Sequence, residues 1–367
     1  MIALSIQLEG DWTVKKAIAV AMATLLGVCA TAHAQSSVLL YGSLDVGVQF
    51  LSHAGQNGSN VVNMQSGNVV PSYFGLKGTE DLGGGYSAYF RLEEGINIAN
   101  GSTTVPNVLF SRYAFAGLSS PYGSLQFGRQ YSVMFEQTLL YDPTYLAQFS
   151  VMSANLIPIE TINPNNSIKY ISPEIGGFSG VAMYSLGQQL PGDFRAGTYL
   201  GLALAYHNGP FSIRGVYEST RGQADVAAGT SMSSLVDRRA SVAARYSMGP
   251  ATLYAGYANV SGDLQLSPAG NLYWGGATWL ATPQVNLIGE AVRYDTRGGS
   301  DGRPMWFILG SEYFLSKRTF LYGFLAYLDN RGGKDFTLNT YDLAALGGVS
   351  AGGMSQTGVQ IGITHSF

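Results

Sequence analysis

Almost the whole chain repeats one pattern: a segment of alternating residues, a short link, another such segment, then a long link. In the first clear example, Tyr86, Ala88, Phe90 and Leu92 alternate with Ser87, Tyr89, Arg91 and Glu93. Leu200, Leu202, Leu204 and Tyr206 alternate with Gly201, Ala203 and Ala205. Arg239, Ser241, Ala243 and Arg245 alternate with Ala240, Val242, Ala244 and Tyr246. The last segment sets Val359, Ile361, Ile363, His365 and Phe367 against Gln360, Gly362, Thr364 and Ser366. A period of two puts successive side chains on opposite faces and marks strands, not helices.

The links are equally regular. Short ones at 79–85, 119–124, 172–177, 207–210, 247–250, 281–284 and 315–318 are mostly Gly, Pro, Asn and Asp, the residues of tight turns. Between them lie long polar stretches at 53–70, 97–107, 131–165, 187–196, 220–235, 262–270, 297–303 and 331–355. Eight long and seven short links separate 16 strands. A soluble sandwich also alternates along its strands, but does not need long and short links to take turns. A membrane-spanning barrel does, with tight turns at one rim and loops at the other.

Composition fits. After residue 34 the longest apolar stretches run to about eight residues, such as Phe320 to Tyr327, too few for a spanning helix. Charged residues make up 12%, about half the usual share, beside 48 glycines and 23 tyrosines. In lipid a sheet satisfies its backbone only by closing on itself. The expected fold is therefore all-β, a 16-stranded antiparallel transmembrane barrel. A ring of that size leaves an aqueous lumen.

The N-terminal stretch belongs to export. Lys15 and Lys16 precede an apolar run, Ala17 to Ala30, followed by Ala32, His33 and Ala34. This is the order of a cleavable signal peptide over 1–34, with 1–14 an upstream start extension and 35–367 the mature barrel domain. The only cysteine, Cys29, lies inside it, and Val28 before it is not the small residue that lipidation requires. A net charge of −3 does not suit nucleic acid, which calls for a basic surface.

Motifs spread over the mature chain then give a resemblance. They are Val38 to Asp45 (VLLYGSLD), Phe74 to Gly85 (FGLKGTEDLGGG), Ala116 to Ser120 (AGLSS), Gly123 to Tyr131 (GSLQFGRQY), Asn166 to Tyr170 (NSIKY), Leu315 to Thr319 (LSKRT) and Gly362 to Phe367 (GITHSF). In this order they resemble the Gram-negative general porins, in the branch typical of β-proteobacteria. The resemblance implies a homotrimer of 16-stranded barrels in the outer membrane, set among lipid and lipopolysaccharide. Each barrel would carry a water-filled channel for passive diffusion of ions and small hydrophilic solutes, with the third loop folded inward. It also implies that terminal Phe367 is part of the signal read by the barrel-assembly machinery. Residues 131–165 lack the Pro-Glu-Phe-Gly-Gly-type motif of the enterobacterial relatives.

A diffusion pore has no catalytic residues and needs no cofactor or metal; its selectivity lives in the charges at its narrowest section. The long link 131–165 holds Glu136, Asp142 and Glu160, expected to face the opposing wall. On the strands, parity decides. With Phe74, Leu76, Phe90 and Leu92 outward, Lys77, Arg91 and Glu93 turn inward, and likewise Lys169, Arg214, Arg239 and Arg245. A mid-membrane Arg or Lys on the lipid face costs roughly 2–4 kcal/mol, which favours the inward choice. Lys77 and Arg91 join the three loop acids as constriction candidates; Glu93, Lys169, Arg214, Arg239 and Arg245 line the lumen. Parity alone leaves Arg112 and Arg129 open. Tyr41, Tyr206, Tyr246, Tyr313 and Trp306 fall near segment ends, where aromatic girdles sit.

The alternatives are few. His33, His53, His207 and His365 show no metal spacing, and no Gly-x-Ser-x-Gly elbow occurs, so an enzyme is not expected. A substrate-specific channel, for an anion such as phosphate or a carboxylate, or for a sugar, would share the barrel and differ in its constriction. A sugar channel should show a line of aromatics along the lumen, and parity yields none.

Overall fold

The computed structural model describes residues 37–55, 58–150, 159, 161–264, 268–297, 302–330, 336–339 and 353–367. Segment 1–34, expected to be a signal peptide, lies outside them. Sixteen strands form the wall. The first eight are β1 (Ser37–Leu51), β2 (Tyr73–Gly83), β3 (Tyr86–Asn97), β4 (Tyr113–Ser120), β5 (Gly123–Arg129), β6 (Ser167–Ile171), β7 (Phe178–Ser185) and β8 (Tyr199–Asn208). The rest are β9 (Phe211–Arg221), β10 (Val236–Met248), β11 (Ala251–Gly262), β12 (Gly270–Thr282), β13 (Val285–Thr296), β14 (Met305–Phe314), β15 (Thr319–Asp329) and β16 (Gln356–Ser366). Each pairs antiparallel with its neighbours in sequence, and β16 returns to β1 through Ser43–Leu51 against Gly358–Ser366. The ring is closed.

Five of the seven turns are tighter than the sequence pattern indicates; in the first, polar residues such as Thr79, Glu80 and Asp81 still pair with Tyr89, Ala88 and Ser87. What remains of that link is Gly84-Gly85, both at positive φ (63° and 81°), a geometry other residues adopt only with strain.

The first long link is not all loop. Val61–Ser66 forms a further strand on the upper half of β1, while β2 pairs with its lower half. Between them, residues 67–72 turn into the barrel around Asp45. Its carboxylate accepts the backbone N–H groups of Asn68 (2.8 Å), Val69 (3.3 Å) and Val70 (3.2 Å). The hydroxyls of Tyr322 (3.0 Å) and Thr364 (2.6 Å) complete the set. This one carboxylate ties together β1, β15, β16 and the inturned segment at the closure of the ring.

Outside, Leu204, Leu253, Leu309, Leu325 and Ile361 form part of an exposed apolar belt, as a lipid-facing wall requires. Inside, the two halves of the barrel differ. On β11–β15 the inward residues are also apolar: Ala258, Trp274, Ile288, Trp306, Tyr322, Phe324 and Leu328 are buried. Loop residues Phe149, Phe336 and Leu338 are buried in the same cluster. Such burial stabilises by roughly 1.5–3 kcal/mol per large side chain. The apolar run Phe320 to Tyr327 is therefore a strand with an exposed apolar outer face (Leu321, Leu325, Tyr327) and a buried apolar inner one (Tyr322, Phe324, Ala326). Two aromatic assignments are corrected accordingly. Trp306 packs edge-on against Phe336, with ring centroids 5.6 Å apart, inside the barrel. Tyr41 turns into the lumen, where Glu93 offers its hydroxyl a charged acceptor. Tyr246 and Tyr313 stay exposed on the outside, and Tyr206 packs on Phe178 at 4.6 Å.

Candidate functional site: the lumen and its third loop

The loop between β5 and β6 folds into the barrel and carries helix α1 (Val133–Tyr141). Its start is fixed three times over. Ser132 Oγ accepts from the N–H of Phe135 (3.2 Å), Tyr199 Oη from that of Val133 (3.1 Å), and Glu218 Oε1 from that of Met134 (2.7 Å). A wall carboxylate thus meets the positive end of the helix dipole. Farther on, Gln137 donates to Arg214 O, and the hydroxyls of Tyr141 and Ser212 bond at 2.6 Å. At the far end Trp274 Nε1 donates to Tyr141 O (3.1 Å). Gln148 then bonds back to Asn68 O (2.6 Å) and Gly67 O (3.0 Å), next to the closure seam. The loop therefore runs along the inner wall from β8 round to β16. The faces of β2 and β3 stay uncovered, with Lys77 exposed and the Arg91 side chain 34% exposed.

Of the six strand cations that parity turned inward, four have a carboxylate partner. Glu93, with 0% exposure, accepts from Arg91 Nε (2.8 Å), Arg112 Nε (2.8 Å) and Tyr41 Oη (2.9 Å). Glu136 binds both Lys169 Nζ and Arg214 Nη2 (3.4 Å). Arg239 pairs with Asp237 on its own strand (2.8 Å). Among the described residues Lys77 and Arg245 have no carboxylate partner. Lys77 lies 4.9 Å from the centre of the Tyr41 ring, and Arg245 reaches Leu140 O (3.3 Å) and the Tyr141 ring.

The loop acids differ from expectation. Glu136 turns to the cations of β6 and β9, beside which its own loop lies. Asp142 is fully buried; it caps α1 and accepts from the N–H and hydroxyl of Thr144, both at 2.6 Å. Burial pushes its carboxyl up to about 6. Asp142 serves the loop's fold and does not face the water path. Glu160 lies outside the described residues.

Of the two arginines that parity left open, Arg112 enters the lumen by sitting one residue before β4. Arg129 braces the base of the loop, donating to Ser111 O (2.6 Å), Asn163 O (2.9 Å) and Asn165 Oδ1 (2.6 Å). At the chain end Phe367 exchanges backbone bonds with Gly42 (3.0 and 3.2 Å), and its ring covers that glycine so closely that a Cβ there would collide. Glu218 and Glu290 escaped the sequence reading, although Glu218 shares parity with Arg214. Both oxygens of buried Glu290 lack a hydrogen-bond partner among the described residues.

A closed ring of 16 strands, apolar without and carrying an inward loop beside clustered charges, is a diffusion channel of the porin class. Residues 17–333 match the Gram-negative porin family, and the chain belongs to it. It is 31% identical over 363 residues to outer membrane porin protein 32 of Delftia acidovorans, covering 94% of this chain and 97% of that one. An outer membrane porin protein of Bordetella pertussis is 28% identical, with 84% and 93% covered. Among solved structures, an anion-selective porin from Comamonas acidovorans superposes with a TM-score of 0.76 at 27% identity, covering 91% of this chain and all of that one. OmpT of Vibrio cholerae, at 17% identity and a TM-score of 0.66, shares the fold. The protein is an outer-membrane porin, a water-filled β-barrel for passive diffusion of ions and small hydrophilic solutes.

Proposed function

We propose that this channel is a general diffusion pore with a weak preference for anions. The observation that carries this is the local charge balance. Two arginines share Glu93, Lys169 and Arg214 share Glu136, and Lys77 and Arg245 stand without a carboxylate partner among the described residues. Each of these four places carries a surplus positive charge. Asp45, Asp142, Glu218 and Glu290 are buried away from the water path and offset little of it. Fixed charges act over only about 8 Å at physiological salt, so these local surpluses set the field at the constriction.

We further infer that the chain works as a homotrimer among lipopolysaccharide and lipid, without catalytic activity. Segment 1–34 would direct export, and Phe367 would mark the chain for the barrel-assembly machinery. The family and the exposed apolar belt support this reading. The test is single-channel conductance in planar bilayers, with the reversal potential in a salt gradient. Large ohmic steps in triplets with a modest anion preference are expected. Cation preference would overturn the charge reading. Small currents blocked by micromolar phosphate or sugar would replace it with a substrate-specific channel.

A further inference from the structure

Parity gives no aromatic line along any single strand, yet one forms across strands. On the lumen face, the rings of Tyr89 and Phe115 lie 6.0 Å apart, Phe115 and Tyr113 5.7 Å, and Tyr113 and Tyr131 4.5 Å. Tyr41 and Tyr73 extend the same wall, 6.1 Å apart. All these pairs meet edge-on, at 61° to 86°. The cations of the uncovered wall sit on these rings. The Arg91 guanidinium lies 4.0 Å from the Tyr113 centroid and 5.5 Å from that of Tyr41, with Lys77 4.9 Å from Tyr41.

We propose that this wall is a ring-binding track for aromatic carboxylates, a reading that rests on the anion preference proposed above. A carboxylate drawn to Lys77 and Arg91 brings whatever follows it against Tyr41, Tyr89 and Tyr113. A planar ring can stack or meet them edge-on, as they meet one another. Such pairs gain beyond simple area burial, which corresponds to roughly a two- to tenfold advantage per contact. Neutral sugars are poorer candidates because they need acceptors for their hydroxyls. The nearest carboxylate, Glu93, is fully buried and already accepts from Arg91, Arg112 and Tyr41.

The experiment is block of the wild-type channel in a bilayer by acetate, cyclohexanecarboxylate and benzoate at equal concentration. Charge is then constant, while bulk and aromaticity are added in turn. Benzoate should block roughly two- to tenfold more strongly than cyclohexanecarboxylate, and acetate least. Tyr113→Leu should erase the difference between the two ring acids, and Lys77→Gln should weaken both together. Tyr89→Leu serves if Tyr113→Leu does not fold. Equal block by the two ring acids, with anion preference intact in the reversal potential, overturns the track alone. A channel without anion preference overturns the reading beneath it as well.

Discussion

Removing the Glu136 carboxylate tests the charge reading where the structure makes it most specific. Glu136→Gln keeps the shape of the side chain but leaves Lys169 and Arg214 facing α1 with no counter-ion from that helix. An ion passing roughly 6 Å away would feel about 0.7 kcal/mol from one unit charge at the dielectric of water. Screening over a Debye length of about 8 Å cuts this to about 0.3 kcal/mol. The sign is opposite for anions and cations, so their permeability ratio should move about threefold toward anions. Lower salt should enlarge the change. The same substitution strips a buried lysine of its partner. Breaking a buried pair costs about 3–5 kcal/mol when the pair is fully desolvated, and less here because Glu136 keeps 25% exposure. Lys169 also retains its bond to Tyr131 O (3.1 Å), which limits the loss. The assay is the reversal potential in a tenfold KCl gradient, beside a heat-modifiability gel to establish that the barrel is folded. A folded variant with unchanged selectivity, or one shifted toward cations, would show that Glu136 lies outside the field that permeating ions feel.

Three other outcomes follow from the anchors. Asp45→Ala leaves the five donors around that carboxylate to find new partners. At roughly 1–3 kcal/mol for each donor left buried and unpaired, it should lower barrel stability by about 3 kcal/mol or more, measured by urea unfolding in detergent. A change below about 0.5 kcal/mol would refute its role at the closure. Gly276→Ala places a methyl in collision with Gly289 O of the neighbouring strand and about 2.8 Å from Pro143 Cγ, so it should strain the β12–β13 pairing and displace the loop together. Lowered barrel stability with an altered single-channel step is expected, and an unaltered step size would refute the close approach. For Asp142, the folded protein favours the protonated form, because burial raises its carboxyl from 3.8 to about 6. The fold then binds a proton that the unfolded chain lacks between these values. The stabilisation is present at acid pH, declines as pH rises toward 6, and is absent above it, by roughly 2–3 kcal/mol in all. Open-channel noise should therefore grow between about pH 4 and 6 and level off above, and Asp142→Asn should abolish the growth; noise independent of pH would refute the assignment.

The strand count was legible because short links, most of them holding Gly, Pro, Asn or Asp, alternate with long ones. The inward cations were legible because a lipid-facing charge is too costly, so parity had one acceptable solution. Parity failed where both faces of a strand are apolar. On β11–β15 the loops cover the inner face, so Trp306 reads like a girdle residue although it is enclosed. Tyr41 misled for the opposite reason: its partner is Glu93, 52 positions away and two strands across. The loop acids had no period to orient them. Nothing local distinguishes Glu136, which meets two wall cations, from Asp142, which is sealed against β12 and β13. The strand Val61–Ser66 was hidden among Asn, Gln and Ser because its long neighbour β1 supplies the pairing.

The placement of the acids makes a net charge of −3 compatible with the positive pore proposed above. Asp45 is surrounded by N–H and O–H donors at the closure, and Glu218 meets the start of α1. Both are spent on holding the loop and the ring in place. The other end of α1 is held differently. There the Asp142 carboxyl accepts from the N–H and hydroxyl of Thr144 in its own loop. Burial raises that carboxyl to about 6, so this end is held best with a proton present. One end of the helix is therefore held by a carboxylate of the wall and the other by a carboxyl of the loop itself. The proposed basic constriction fits the same arrangement, because these acids are buried as anchors while Lys77, Arg91 and Arg245 keep exposure to the lumen.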